Sequence, residues 1–190
     1  MSVTSVKTGT GGLSLALNNN YMEPIATTVV GSGGVNTVIF NNIPQGYKHL
    51  QLRVLGRDNR SNYATNFYIQ FNGDNSLNYA DHSLYGNGAT TVAAANTSQS
   101  SASLGRFTGG TTQSNTFGAA IVDILDYTNI NKNKTVRSLS GYDDNGVNGG
   151  QIWLNSNLWM STVSITSITI VPVGSLISQY SRFSLYGIKG

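Results

Sequence analysis

The sequence lacks cysteine and contains few charged residues, and each shortage excludes some classes of functional site or partner. It has 190 residues and no Cys, which excludes disulfides, thiolate metal sites and cysteine nucleophiles. Charged residues make up 10% of the chain, against about 25% in an ordinary soluble domain. The 11 Lys and Arg residues are scattered, so we expect no nucleic-acid partner despite the net charge of +3.

Long apolar runs are also missing. No segment approaches the roughly 18 consecutive apolar residues of a membrane span. Residues 1–20 hold a single Lys7 and no continuous apolar stretch of the kind that marks a secretory signal. We therefore expect no membrane partner and no secretory leader, and we expect assembly in the cytoplasm of the cell that makes the protein.

The residue types that carry most catalysis and metal binding are scarce. Glu23 is the only Glu, and the only two histidines, His49 and His82, do not lie at a metal-ligand spacing. Several Asp residues fall in turn contexts, where the carboxylate hydrogen-bonds the backbone rather than facing a second carboxylate across a cleft. We expect no enzyme activity, no catalytic or metal-binding residues and no cofactor.

Small polar residues fill the chain instead, with 22 Asn, 22 Ser, 19 Thr and 22 Gly. This mixture suits short strands joined by many turns. From Ile25 onward, apolar residues recur at every second position, and no segment shows helical periodicity. The pattern predicts an all-β fold of about ten or eleven strands, an antiparallel β-sandwich with a jelly-roll-like arrangement. A closed up-and-down barrel is the lesser alternative.

The chain divides into an arm and one domain. Residues 1–22 are predicted to form an extended N-terminal arm, and residues 23–190 a single β-sandwich domain. In the arm, Leu13, Leu15 and Leu17 alternate with small residues after a Gly-rich stretch, as in a segment that adds a short strand to a neighbouring subunit. The alternative is a leader with no role.

Two further segments carry predictions about local structure. Residues 31–34, Gly-Ser-Gly-Gly, are predicted to join residues 25–30 and 35–40 as a hairpin. Residues 88–116 are rich in small polar side chains, and we expect a long surface excursion that holds one strand near Ala102–Thr108.

The segment Phe117–Tyr127 is apolar on both of its alternating faces. A strand of this kind is covered on both sides, so it is either central in the sheet or part of a subunit interface. Asp123 interrupts the segment and needs a partner if it is buried. Arg137 and Arg182 are the candidates, and we expect a buried ion pair of Asp123 with Arg182.

Aromatic side chains are the remaining candidates for binding a ligand. Tyr63, Tyr79 and Tyr85 lie close to predicted loops, where rings can stack on sugars, so they are candidate glycan contacts. Trp153 and Trp159 adjoin apolar residues and are expected to anchor the core or an interface.

Several segments together resemble a family of small, uncharacterised virion structural proteins of tailed phages, especially marine ones. The resemblance covers roughly residues 23–190 and extends to the closing strand Ser181–Gly190, SRFSLYGIKG. The other matching segments are IFNNIPQGYKHLQLR at 39–53, FNGD at 71–74, NY at 78–79, VDILDY at 122–127 and NKTVRSLSGY at 133–142.

The resemblance implies a structural or appendage protein of a phage particle and carries no set of catalytic residues. Our first expectation is a capsid decoration or cement protein, a homo-oligomer (trimer or dimer) bound to the major capsid protein or other virion proteins. The arm would then contact a neighbouring subunit through Leu13, Leu15 and Leu17. The alternative is a tail or fibre module that binds a host surface glycan.

Overall fold

The computed structural model of the protein describes residues 21–146 and 149–190, which form twelve β-strands. No described residue belongs to a helix, so none forms a helix able to span a membrane. The strands are β1 (Met22–Val29), β2 (Val38–Phe40), β3 (His49–Gly56), β4 (Ala64–Phe71), β5 (Tyr79–Gly86), β6 (Thr91–Gln99), β7 (Ala102–Thr108), β8 (Gly118–Leu125), β9 (Lys134–Asp143), β10 (Gly150–Trp159), β11 (Ile168–Pro172) and β12 (Arg182–Ile188).

The strands form two antiparallel sheets. The large sheet has eight strands in the order β1-β12-β3-β8-β9-β10-β5-β6, and the small sheet has four in the order β2-β11-β4-β7. Every paired neighbour in both sheets runs antiparallel. The predicted all-β antiparallel sandwich is therefore confirmed.

The chain crosses between the sheets from the start, because β1 and β3 belong to the large sheet while β2 and β4 belong to the small one. Residues 31–34 thus connect opposed sheets, and the predicted hairpin between residues 25–30 and 35–40 is wrong. Glycines permit a crossing as readily as a tight turn, since both need positive φ, which Gly33 and Gly34 adopt. The jelly-roll arrangement stays a prediction, and this alternation between sheets is the observation that supports it.

The core lies between the small sheet and the inner faces of β12, β3 and β8, and it extends to the start of β5 and the end of β10, where Tyr79 and Trp159 are buried. The alternating residues of β3 (Leu50, Leu52 and Val54) are all nearly inaccessible to solvent, as the period-two pattern predicts. They face the apolar side of β4, where Phe67 stacks on Phe107 of β7 with ring centroids 4.5 Å apart. This apolar half of the sandwich supplies the burial on which a domain without disulfides depends.

Residues 88–116 contain two strands, whereas the sequence predicted one. The predicted strand near Ala102–Thr108 is confirmed as β7, which is mostly buried. The added strand is β6, which extends the large sheet beyond the reach of the small one. Its small side chains are exposed on both faces, so it has no apolar alternation for a sequence pattern to detect.

Strand β8 lies in the interior of the large sheet between β3 and β9, as its two apolar faces predict. The predicted buried ion pair of Asp123 with Arg182 is wrong. Arg182 is exposed and lies opposite Leu55, four residues along β3 from Gln51, the partner of Asp123. The Gln51 amide donates to Asp123 over 2.9 Å, and Arg137 is its other cross-strand neighbour. Half-burial lets the carboxylate keep solvent contact, so a charged partner is not required.

Candidate docking face and aromatic cluster

The outward face of the large sheet carries a row of large apolar side chains. Ile121, Leu139, Leu154 and Leu84 lie directly opposite one another across β8, β9, β10 and β5. They are 46%, 49%, 52% and 49% exposed, respectively. Leu55 and Ile152, in the adjacent row, are similarly exposed. We call these residues the outer apolar face, defined as Leu55, Leu84, Ile121, Leu139, Ile152 and Leu154.

This face arises because β9 and β10 carry their polar residues inward. Ser138 and Ser140 of β9 and Asn155 and Asn157 of β10 are buried on the inner side, while Leu139 and its neighbours alternate outward. A strand whose outer face meets only water shows the opposite pattern. This inverted arrangement, with polar residues inside and apolar residues outside, indicates that the outward side of the sheet is suited to being covered by a partner.

The inward polar residues attach the large sheet to the edge of the small one. Asn157 accepts a hydrogen bond from the backbone N–H of Ser103 (2.8 Å) and donates one to its carbonyl (3.1 Å). Asn155 donates to the Ser138 hydroxyl, which in turn donates to the same carbonyl. Strand β7 also approaches closely because Gly105 has positive φ and no side chain, since a Cβ there would meet the Ser140 hydroxyl.

A polar rim borders the outer apolar face. Gln51, Asp123 and Arg137 occupy the next row along β3, β8 and β9. Arg53 donates to the Gln51 side chain (3.1 Å), and its guanidinium carbon lies 5.6 Å from the centroid of the Tyr186 ring. An apolar centre with a polar, Arg-containing rim is the composition found at protein–protein interfaces. Five strands about 4.8 Å apart and two rows of side chains make a patch of roughly 300 Å².

A second feature is an aromatic cluster on the inner side of the large sheet, at the β5 and β10 end. The rings of Tyr85 and Trp153 are parallel (4°) with centroids 4.0 Å apart. The guanidinium carbon of Arg106 lies 5.6 Å from the Trp153 ring, whose indole N–H donates to Gln151 over 2.9 Å. Both aromatic residues are half-buried, so ring surface remains accessible for stacking.

Two buried polar atoms near the cluster have no hydrogen-bond partner among the described residues. They are the Tyr142 hydroxyl and the Arg106 Nε. Burial raises the pKa of Tyr142, so its hydroxyl is a neutral donor at physiological pH. A shallow pocket of about 330 Å³ opens beside Tyr142, lined by Gly86, Asn87, Gly88, Tyr142, Asp143, Gly150, Gln151 and Ile152. Buried polar atoms beside a pocket favour a ligand rich in hydroxyl groups.

The structure separates the three tyrosines predicted as glycan contacts. Tyr85 belongs to the aromatic cluster, and Tyr63 is 39% exposed in the loop between β3 and β4. The prediction for Tyr79 is wrong, because it is fully buried. Its hydroxyl accepts from the N–H of Phe71 and donates to the carbonyl of Asp74, and burial raises its pKa to about 12.

The two tryptophans also have different environments. Trp159 packs in the core against Phe71 and Tyr79, as expected. Trp153 was expected to be an anchor too, but its ring is only half-buried beside Tyr85. The sequence contains no signal for this pairing, because it depends on the β5–β10 register, which sets Trp153 opposite Tyr85.

The arm residues Leu13, Leu15 and Leu17 lie outside the described residues. Within residues 21–146 and 149–190, no three His, Asp or Glu side chains are grouped to hold a metal ion. Comparison with protein-family models, with curated proteins and with solved structures finds no match for this chain. Its function therefore has to be argued from the outer apolar face and the aromatic cluster.

Proposed function

We propose that this chain is a structural protein of a tailed-phage particle, and that it decorates the capsid. It binds the outer shell, with the major capsid protein as its partner, and stabilises the joints between capsomers. The observation that carries the proposal is the outer apolar face, which leaves six large apolar side chains in contact with water in the single chain. The resemblance of residues 23–190 to virion proteins supplies the setting.

The size of the face limits how one copy attaches. Burying roughly 300 Å² at about 25 cal/mol per Å² yields ~7 kcal/mol from this chain's side of the contact, before the partner's surface and the entropy cost of association are counted. A stable interface usually buries about 800 Å² per partner. One copy therefore binds the shell weakly, and a homo-oligomer that engages several sites together gains affinity by avidity. A dimer or trimer across a capsomer joint also resists separation of the joint.

Charged substitutions in the centre of the face test this proposal. Leu139→Asp combined with Leu154→Asp places two carboxylates where the shell must exclude water, so we expect at least a tenfold loss of affinity. The measurement is cosedimentation of purified protein with capsid shells stripped of it. Leu77→Asp is the matched control, because Leu77 is 68% exposed in the turn between β4 and β5, away from the face.

The control variant should bind as the wild type does. The control should unfold at the wild-type midpoint. The double variant should unfold at a somewhat lower midpoint, because its two carboxylates are cross-strand partners, and its binding is measured below the temperature at which it begins to unfold. If the double variant binds shells with wild-type affinity, the outer apolar face is not the surface that contacts the shell.

The second candidate function is a tail or fibre module that binds a host surface glycan. The Tyr85–Trp153 pair, with Arg106 against it, is the observation that favours it. A sugar ring packs its apolar face on aromatic surface, and the amides of Asn87 and Gln151 line the pocket where its hydroxyls would lie. The pocket volume suits one or two sugar rings.

A glycan array tests this second function. Wild-type protein should give discrete hits that Trp153→Ala reduces at least tenfold and Trp153→Phe largely keeps, because stacking needs a ring rather than an indole. Tyr180→Ala is the control, since Tyr180 is an exposed aromatic outside any strand. An array without wild-type hits, or hits unchanged by Trp153→Ala, would count against glycan binding at the cluster.

A further inference from the structure

The two edges of the large sheet differ in how they are protected against pairing with another strand. Strand β1, at one edge, carries Glu23, Pro24 and an irregularity in register between Pro24 and Ala26. Charges, prolines and bulges are the features with which natural edge strands avoid association. Strand β6, at the other edge, holds neither a charge nor a proline over Thr91–Gln99, and its one irregularity in register lies at its end, beyond Asn96.

The backbone of β6 is oriented to receive a further strand. The Asn87 N–H bonds to the Thr90 carbonyl at the start of the β5–β6 ladder (3.2 Å). Because hydrogen-bonded and non-hydrogen-bonded pairs alternate in an antiparallel ladder, Ala93 and Ala95 direct their N–H and C=O groups away from β5. The register is regular from Gly86 opposite Thr91 to Asp81 opposite Asn96. The edge is therefore an open template of about six residues.

We propose that this edge binds residues Leu13–Leu17 of a second copy of the chain, which add a ninth strand to the large sheet. That segment alternates Leu with Ser and Ala, the period of a strand with one apolar face. Its leucines share one face, so they can lie beside Ala93 and Ala95, which point to the same side of β6 and whose small side chains leave room for large cross-strand neighbours.

The segment cannot reach this edge within its own chain. Strands β1 and β6 lie at opposite edges of an eight-stranded sheet, and seven spacings of about 4.8 Å put them about 34 Å apart. Leu17 is four residues from Tyr21, beside the start of β1, and four residues span at most about 14 Å. The donor must therefore be another copy, and each copy both donates a segment and accepts one.

Strand addition at this edge also extends the docking surface. Ala93 lies opposite Leu84, the last member of the row Ile121–Leu139–Leu154–Leu84. A leucine that follows Ala93 on an added strand continues this row toward the neighbouring copy. The inference concerns self-association and needs no shell, so it stands or falls separately from the proposed function.

Two full-length variants isolate the two halves of the contact. Leu15→Asp charges the donor segment, and Ala93→Pro removes a free-edge N–H without breaking a bond to β5. Ala93→Val keeps the N–H and is the matched control. At about 50 µM, light scattering with size-exclusion chromatography should show an oligomer for the wild type and for Ala93→Val, and a monomer for each of the other variants.

Mixing the two monomeric variants is the decisive step. Leu15→Asp keeps an intact β6 edge and Ala93→Pro keeps an intact donor, so the mixture should form a one-to-one heterodimer. Unfolding midpoints within a few degrees of the wild type show that Ala93→Pro still folds, and Ala95→Pro repeats the test at the next free-edge position.

Several results would overturn the inference. They are a monomeric wild type, association that survives either variant, and a mixture that stays monomeric. Association lost in Ala93→Pro but kept in Leu15→Asp would mean that two β6 edges pair with each other. Association lost only in Leu139→Asp would assign it to the outer apolar face.

Discussion

Asp74, in the turn after β4, joins β10 to the start of β5 through its side chain. Burial opposes its ionisation, but hydrogen bonds from the Trp159 indole (2.7 Å), the Ser76 N–H and the Asn78 amide (each 2.9 Å) outweigh that effect. The pKa of Asp74 falls to about 2 as a result. A carboxylate with three donors in this position stabilises the folded chain while it is ionised.

The low pKa of Asp74 predicts a pH dependence of stability. The folded pKa lies below the unfolded one, so the contribution is complete above about pH 4 and is lost as pH falls toward 2. Asp74→Asn should lower the free energy of unfolding at pH 7 by about 1 kcal/mol, allowing for solvent screening. Urea denaturation at pH 7, 4 and 2.5 measures this, with the exposed neighbour Asn75→Ala as control. A deficit that does not shrink as the pH falls would contradict the assignment.

Some properties of single residues could be predicted from the sequence and others could not. The scarcity of Glu and His was read from the sequence alone, and so was the position of Trp159 in the core. The burial of Tyr79 could not be predicted from the sequence, because Tyr79 and Tyr85 are both tyrosines at strand ends near loops. Tyr79 faces inward beneath the small sheet, while Tyr85 is half-buried beside Trp153 at the margin of the small sheet. That difference depends on the lateral extent of the small sheet, which no local pattern encodes.

At the scale of elements, Asn157 holds strand β7 against β10. Its side-chain amide pairs with both the N–H and the carbonyl of Ser103, as a neighbouring strand would. Asn157→Ala leaves two buried backbone groups without these partners, so we expect a loss of about 2–3 kcal/mol in the free energy of unfolding. Ser156→Ala, a substitution on the outer side of the same strand, should cost less than about 0.5 kcal/mol. Equal effects of the two substitutions in denaturant unfolding would show that Asn157 is not the attachment point.

The elements also show where the sequence pattern succeeds and fails. Strands with one apolar face toward the core, such as β3 and β4, are evident from alternation alone. Strand β6 is not, because Thr, Val, Ala and Asn at its positions face solvent on both sides. In β9 and β10 the alternation is visible but inverted, and only the position of β7 over Ser138 and Asn155 shows which face is inside. The candidate docking face was therefore predictable as an apolar pattern but not as an exposed surface.

At the scale of the whole molecule, one sandwich presents two kinds of surface on its large sheet. The outward face offers apolar side chains to a partner, and the β6 edge offers backbone groups to a second copy. In the proposed function the first attaches to a shell, and in the proposed self-association the second links copies along it. Together they describe a module that gains strength from repetition, since one copy alone has too little apolar surface for a stable contact.

The position of this protein on the intact particle tests most directly the proposal that it decorates a phage capsid. Gold-labelled antibody against the domain, imaged by negative stain on intact virions, should mark the capsid shell at many sites per particle. Label confined to the tail or fibres would contradict the claim and favour the glycan-binding function of the Tyr85–Trp153 cluster. If infected cells make the protein but intact particles carry no label, both the capsid-decoration function and the glycan-binding function on the tail would be contradicted.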